Sequence, residues 1–446
     1  MRTLIIMLLL LAAATAHASA EATTSMDVSP TAPEAVVAEP FSFGDFTWMN
    51  GTNRQKTPLL ASKYFTGSLL LDVNYTYSFN HPIDDTVVGS TALARNNELE
   101  VAFLGFGGDF AYEHARARIM TQFGARSTVV PRNDSSADRG QFDLRSAYRY
   151  ISEAYGGYHF DVMHGMNVDV GIFMSYVGLF SFDNFENWSY QPSFTSDNTP
   201  WFFNGARVQL FPTDRLKLEL WLINGWQTYG KFNDLPGVGG QVTWRPQEWL
   251  SLVSNNYVGT DTANAPGRLR VHTDESFLMR YYQNERRFLT RAAFSVTADF
   301  GFETGDGVTA FGGKDGPAQH FISAMAYHRV WFAQDKFAWT VGGGFMQNPG
   351  RYLVLLPTGV AGSQFDTSAG TQFDAWDAST TLDWMPDNFQ TWRIEFVHRE
   401  ASVPYFAGRG GVTGPTGYTT ATVPVDWKPD LSKQDTRIVG ALLLRF

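Results

Sequence analysis

The sequence predicts an all-β protein, a transmembrane antiparallel up-and-down β-barrel of about sixteen strands with short periplasmic turns and long external loops. Three observations point there. Apolar and polar residues alternate over segments of about ten to fifteen residues, enough to cross a bilayer at a tilt. The breaks between these segments are in turn short and long. The chain also finishes on such a segment. Thr436, Ile438, Gly440, Leu442, Leu444 and Phe446 form one row, and Asp435, Arg437, Val439, Ala441, Leu443 and Arg445 the other. A strand with lipid on one side and water on the other accounts for that pattern, and a soluble sheet does not.

Composition agrees. Aromatic residues make up 15% of the chain, glycines number 41, and charged residues are only 17%, which suits twisted strands joined by tight turns. There is no cysteine, so disulfides and thiolate metal sites are excluded. A net charge of −10 argues against a nucleic-acid partner.

Residues 1–20 read as a signal peptide. Arg2 supplies the basic start, Leu4 to Ala14 the apolar core, and Ala16-His17-Ala18 and Ala18-Ser19-Ala20 two small-x-small cleavage sites. That core is too short to span a membrane, and no later run of about 20 apolar residues exists, so export to the cell outer membrane is expected. Residues 21–66 form a periplasmic leader. Its first part, 21–40, carries three prolines and little periodicity. Its second part carries Phe41, Phe43, Phe46 and Trp48 and then the polar run Asn50 to Lys56, which is open to reading as a plug, a tether or an extra strand. The barrel occupies 67–446.

The clearest strand is Ser68 to Phe79, with Leu69, Leu71, Val73, Tyr75, Tyr77 and Phe79 on one face. Further strands are expected at 97–107, 109–123, 143–160, 166–178, 201–211, 215–226, 237–245, 249–258, 269–283, 288–302, 320–332, 337–346, 371–384, 389–399 and 433–446. Seven short breaks, beginning with Gly107-Gly108-Asp109 and including Pro212-Thr213-Asp214 and Met385 to Asn388, are rich in turn residues. They alternate with eight long ones. Strands of a soluble sandwich average about five to six residues, which argues against that fold. Aromatics such as Phe160, Trp244, Trp249, Trp331, Trp384 and Trp392 gather beside the short turns, where a periplasmic girdle sits.

Several strings carry a family resemblance: Ala147-Tyr148-Arg149-Tyr150 with Glu153-Ala154-Tyr155, Ser175-Tyr176-Val177-Gly178, Asn187-Trp188-Ser189-Tyr190, Pro200-Trp201-Phe202-Phe203-Asn204-Gly205 and Leu222-Ile223-Asn224-Gly225-Trp226. The chain, from about Phe43 to Phe446, resembles the OmpL-like outer-membrane porins, also called β-barrel porin-2. The resemblance implies a porin-like barrel and brings no substrate and no site residues. The terminal Phe446 likewise looks like the aromatic signal read by the barrel assembly machinery.

Strand parity assigns the lumen. Ala115, Ala117, Ile119 and Phe123 suit lipid, which turns His114, Arg116, Arg118 and Gln122 inward. Tyr148, Tyr150, Tyr158 and Phe160 turn Arg145, Arg149 and Glu153 inward, and Arg207 follows from Phe202, Ala206, Val208 and Leu210. A charge facing lipid at mid-bilayer would cost roughly 2–4 kcal/mol. Arg116, Arg118, Arg145, Arg149 and Arg207 therefore form a basic lining, and Asp299, Glu303 and Asp377, with Asp383, an opposing acidic one; scattered local pairs are the alternative arrangement. The third long loop, 179–200, holds six aromatics with Asp183, Glu186 and Asp197, and Trp188 among the rings. It is expected to fold into the lumen as a constriction rather than stand in water.

The nine histidines show no metal-binding spacing, and no Gly-x-Ser-x-Gly or phosphate loop is present, so no enzyme, metal or cofactor is expected. A lipase-like barrel needs a His–Ser pair with an orienting polar residue on the lipid-facing rim, and parity places no such pair; the leader is also too short for the plug of an energised transporter. The expectation is a porin that lets small hydrophilic solutes diffuse through a water-filled barrel. The alternatives are a solute-selective, anion-preferring channel and a structural or adhesive barrel with a blocked lumen. Outer-membrane lipid, the assembly machinery and the solutes are the expected partners. Sixteen-stranded porins are often trimers, which makes a homotrimer the expected assembly.

Overall fold

A computed structural model describes residues 38–134, 136, 139–231, 233–262, 264–312, 318–353 and 372–446. The signal peptide and leader residues 21–37 lie outside the described residues. The strands are β1 (Phe65–Ser78), β2 (Leu99–Tyr112), β3 (Ala115–Thr121), β4 (Ile151–Phe160), β5 (Met166–Met174), β6 (Phe202–Thr213), β7 (Leu216–Ile223) and β8 (Gly237–Gln247). They continue as β9 (Leu250–Gly259), β10 (Leu269–Gln283), β11 (Leu289–Thr304), β12 (His320–Phe332), β13 (Phe337–Gln347), β14 (Asp374–Trp384) and β15 (Gln390–Ala401). A two-stranded pair, β16 (Phe406–Ala407) and β17 (Leu431–Ser432), lies within the last long loop, and β18 (Gln434–Arg445) ends the chain.

All but β16 and β17 join in one closed barrel of sixteen antiparallel strands, each paired with its neighbour in sequence. The last strand pairs with the first, from Leu70↔Arg445 to Ser78↔Arg437. Closure removes both free edges, whose backbone groups would otherwise be unsatisfied in lipid.

Burial inverts the habit of a soluble protein. In β1, Asp72, Asn74, Thr76 and Ser78 are buried, whereas Leu69 and Tyr75 are exposed. In β15, Thr391, Arg393, Glu395 and Arg399 are buried between the exposed Trp392, Ile394 and Phe396. An apolar outside and an ionisable inside is what a bilayer around the wall requires.

Two local expectations are corrected. The first turn is not at Gly107-Gly108-Asp109. β2 runs through it, pairing Gly108 with Ile119 and Tyr112 with Ala115, and the chain reverses at Glu113-His114, where Glu113 adopts φ 51°. The glycines sit mid-strand because β1 and β3 crowd them: a Cβ on Gly107 would lie 1.9 Å from the Ile119 carbonyl oxygen. His114 is thereby moved from the lumen face to the rim. The second correction is the segment 143–160, of which only 151–160 is a strand. The Asp143 side chain accepts a hydrogen bond from the Ser146 N–H at 3.1 Å and starts the short helix Leu144–Tyr148. Arg145 lies on that helix and Arg149 just after it, so strand parity cannot orient either of them.

The core sits inside the barrel. Phe180, Phe182 and Trp188 of the long loop between β5 and β6 pack with Phe46, Trp48 and Met49 of the segment before β1, with Tyr327 and Trp331 of the wall, and with Met385 of the turn after β14.

Candidate functional site

The long loop between β5 and β6 crosses the bore. It leaves the wall at Met174 and returns at Phe202, yet its middle is fixed to β1, β12, β14, β15 and β18. Tyr190 Oη donates to Asp72 Oδ1 at 2.7 Å and accepts from Asn74 Nδ2 at 3.0 Å. The N–H groups of Tyr190 and Gln191 donate to the two oxygens of Glu395 at 2.6 and 2.8 Å. Asp377 accepts from Ser193 Oγ and from the Phe194 N–H, both at 2.8 Å. Two wall carboxylates thus clamp loop backbone, which satisfies groups that water would otherwise have to reach. Space for the loop comes from β13, where a Cβ on Gly344 would lie 2.5 Å from Ser193 Oγ.

The four loop residues singled out by sequence all lie within the barrel. Asp197 pairs with Arg399 at 2.9 Å and accepts from Thr91 Oγ1 at 2.6 Å. Burial pushes its carboxyl up, and Arg399 opposes that shift. Asp183 meets Arg445 at 3.0 Å, and Glu186 meets the same guanidinium. Burial raises the Glu186 carboxyl against the pull of Arg445. Trp188 packs edge-on to Trp331 with ring centroids 5.6 Å apart. The carboxylates and carbonyls of this loop meet cations of β12, β15 and β18, while two of its rings are covered from elsewhere, Phe185 by Arg54 of the segment before β1 at 3.9 Å and Phe182 by Arg126, between β3 and β4, at 4.9 Å.

Arg116, Arg118 and Arg207 share the inner face of β3–β6, Arg118 and Arg207 beside acids on adjoining strands and Arg116 beside one two strands away. Arg116 lies 3.3 Å from Asp169, Arg207 2.8 Å from Asp169, and Arg118 2.6 Å from both Glu153 and Asp109. That wall is a paired network. Arg149 covers the Tyr150 ring at 4.9 Å, close to the start of β4. Asp299 lies on β11 beside His272 at 3.4 Å, and Glu303 pairs with Arg270 at 2.8 Å. Asp377 faces the loop as described.

Two buried arginines of the wall, Arg329 and Arg393, are not among the residues that parity singled out. Asp383 on β14 bridges Arg329 at 2.8 Å and Arg393 at 2.6 Å. These guanidiniums also hold the loop, Arg329 donating to the Trp188 carbonyl at 3.2 Å and Arg393 to that of Asn187 at 2.7 Å. The signal was present: in 389–399 the residues Thr391, Arg393, Glu395 and Arg399 alternate with Trp392, Ile394 and Phe396.

Residues 39–56 lie across the short-turn mouth. Phe41 N–H donates to the Asp214 carbonyl at 2.7 Å, Trp48 Nε1 to that of Glu248 at 2.9 Å, Arg54 to Thr391 Oγ1 at 2.8 Å, and Gln55 Nε2 to the Arg445 carbonyl at 2.7 Å. Asp45 ties to Lys56 at 3.0 Å and to Arg291 at 3.4 Å. Burial alone would raise its carboxyl, but hydrogen bonds from Thr47 and these cations outweigh it and hold it at about 2. This strap also meets the crossing loop. Asn50 Oδ1 accepts from the Trp188 N–H at 2.8 Å, and Gly51, at φ +73°, approaches so closely that a Cβ would lie 2.2 Å from the Leu179 carbonyl oxygen.

Comparison with known proteins follows this geometry. A family model described as "Putative beta-barrel porin-2, OmpL-like" matches residues 64–425. No curated protein matches the sequence significantly. Among solved structures, the outer membrane channel DcaP of Acinetobacter baumannii is similar with a TM-score of 0.50 at 11% identity, over 86% of this chain and 97% of that one. An anion-selective porin from Comamonas acidovorans gives a TM-score of 0.48 at 9% identity, over 86% and 99%. Identities this low speak for the fold alone.

Proposed function

Because this chain belongs to the OmpL-like β-barrel porin-2 family, we propose that it is an outer-membrane porin for small hydrophilic solutes whose bore is narrowed from both ends of one unit, the crossing loop and the strap. One observation carries this reading. A closed barrel with ionisable side chains on its inner face is crossed by a loop that the wall holds through its own carboxylates. A lumen so lined favours water and ions, and low-dielectric walls strengthen the field across a narrow section. Conductance steps from the purified protein in a planar bilayer support the reading. Correctly folded protein that gives no steps favours a structural or adhesive barrel instead.

The export signal in residues 1–20, docking of Phe446 to the assembly machinery and a homotrimer belong to this proposal. Phe446 stacks on Phe389 with ring centroids 6.1 Å apart and exchanges backbone hydrogen bonds with Leu69, which supports a role in closing the barrel.

Two expected results arise here. Removing residues 39–56 raises conductance while leaving the strands paired, because the strap belongs to no strand and takes no part in the ladder of the wall. Unchanged conductance would mean that solutes bypass the strap. Replacing Arg116 and Arg118 with alanine leaves Asp109 and Glu153 without these partners and Asp169 with Arg207 alone, so the reversal potential in a salt gradient moves toward cation preference. An unmoved reversal potential would put this wall off the conduction path.

A further inference from the structure

A cavity of about 510 Å³ opens at the short-turn mouth, between the strap and the turns that join β12 to β13 and β14 to β15. Four cations line it: Arg54 and Lys56 of the strap, Arg291 of β11 and Lys336 of the turn. Two of them are matched. Lys56 and Arg291 share Asp45, and Arg291 also pairs with Asp335 at 3.1 Å. The other lining acid, Asp387, is occupied locally by the N–H groups of Phe389 and Gln390 and by the Gln390 side chain.

Arg54 and Lys336 are not matched. Among the described residues no carboxylate oxygen lies within 4.0 Å of either. Arg54 rests on neutral oxygens: Thr391 Oγ1 at 2.8 Å and the Gln390 carbonyl at 2.7 Å, with that of Asp387 at 3.4 Å. Its Nε is buried and makes no hydrogen bond, and its guanidinium covers the Phe185 ring at 3.9 Å. Burial pulls this group down to about 9, Asp383 and Asp387 oppose that shift from beyond contact distance, and Arg329 and Arg393 add to it. A guanidinium enclosed without a carboxylate in contact is costly, and an anion in the cavity would reduce that cost.

We propose that this cavity binds a small free oxyanion, with a phosphate or carboxylate group seated between Arg54 and Lys336 and with Lys56 and Arg291 at its edge. A planar guanidinium suits two oxygens of such a group, and an ammonium supplies a point charge opposite. The lining residues face the lumen and the short-turn rim, so the ligand is a solute rather than a lipid headgroup. The inference deepens the pore reading by naming a solute class held where solutes would leave the barrel.

The test is titration of the purified full-length protein, in neutral detergent at low salt, with inorganic phosphate. Calorimetry gives the stoichiometry, and Trp331, which lines the cavity, gives a fluorescence signal. One saturable site is expected. The double variant Arg54→Gln, Lys336→Gln should weaken it about tenfold or more, whereas Arg116→Gln on the far wall should not. Absence of saturable heat, or equal binding by the double variant, overturns the proposal. Bilayer conductance of the same preparation is scored separately. Phosphate binding without conductance would leave the site standing and remove the pore, and conductance without phosphate binding would do the reverse.

Discussion

Replacing residues 183–197 with a short glycine–serine linker is expected to raise single-channel conductance severalfold. The segment carries the contacts that carry the loop across the bore: Asp183 and Glu186 to Arg445, Tyr190 to Asp72, Gln191 to Glu395, Phe194 to Asp377 and Asp197 to Arg399. No residue of 183–197 belongs to a barrel strand, so wall pairing survives the loss of this segment. A sixteen-stranded barrel without an inward loop is wide enough for water. Heat-modifiable migration on gels checks that the variant folds. A folded variant with the parent conductance would place the narrowest section elsewhere, and the strap would then be the next segment to remove.

The second large effect is on stability. Asp383→Ala removes the only carboxylate found within 4.0 Å of Arg393 among the described residues, and the one that Arg329 also uses. Both guanidiniums are nearly inaccessible to solvent. Breaking one member out of a buried ionic group typically costs about 3–5 kcal/mol, because the remaining charges stay enclosed. The variant should unfold at a clearly lower temperature or urea concentration in detergent. Its open channel should also be noisier, since Arg329 and Arg393 hold the Trp188 and Asn187 carbonyls of the crossing loop. An unchanged unfolding midpoint would show that water reaches the three groups and screens them.

The strand pattern was legible in the sequence because its cause is local. Successive side chains of a strand point to opposite faces, so a wall between lipid and water writes period two into any segment that spans it. That is why β10, expected at 269–283, spans Leu269–Gln283, and why Leu69 to Phe79 marked the lipid face of β1. The misplaced turn and the overlong fourth strand also have local causes. Gly107-Gly108-Asp109 carries turn residues, but strand crowding rather than reversal is what requires those glycines. Residues 143–150 alternate well enough for a strand, yet Asp143 caps a helix there.

Parity speaks only for residues that lie in a strand, which left out His114, Arg145 and Arg149, and it could not show the partners of the rest. The sequence alone determined a barrel with its short-turn and long-loop rims. The tertiary structure decided that the β3–β6 arginines are already paired, that Asp183 and Glu186 meet Arg445, and that the strap closes over the short-turn mouth. The reason is distance along the chain. Tyr190 and Glu395 are 205 residues apart and Gln55 and Arg445 are 390 apart, so these contacts exist only once the barrel has closed. No periodicity within a segment encodes a partner that closure brings across the bore.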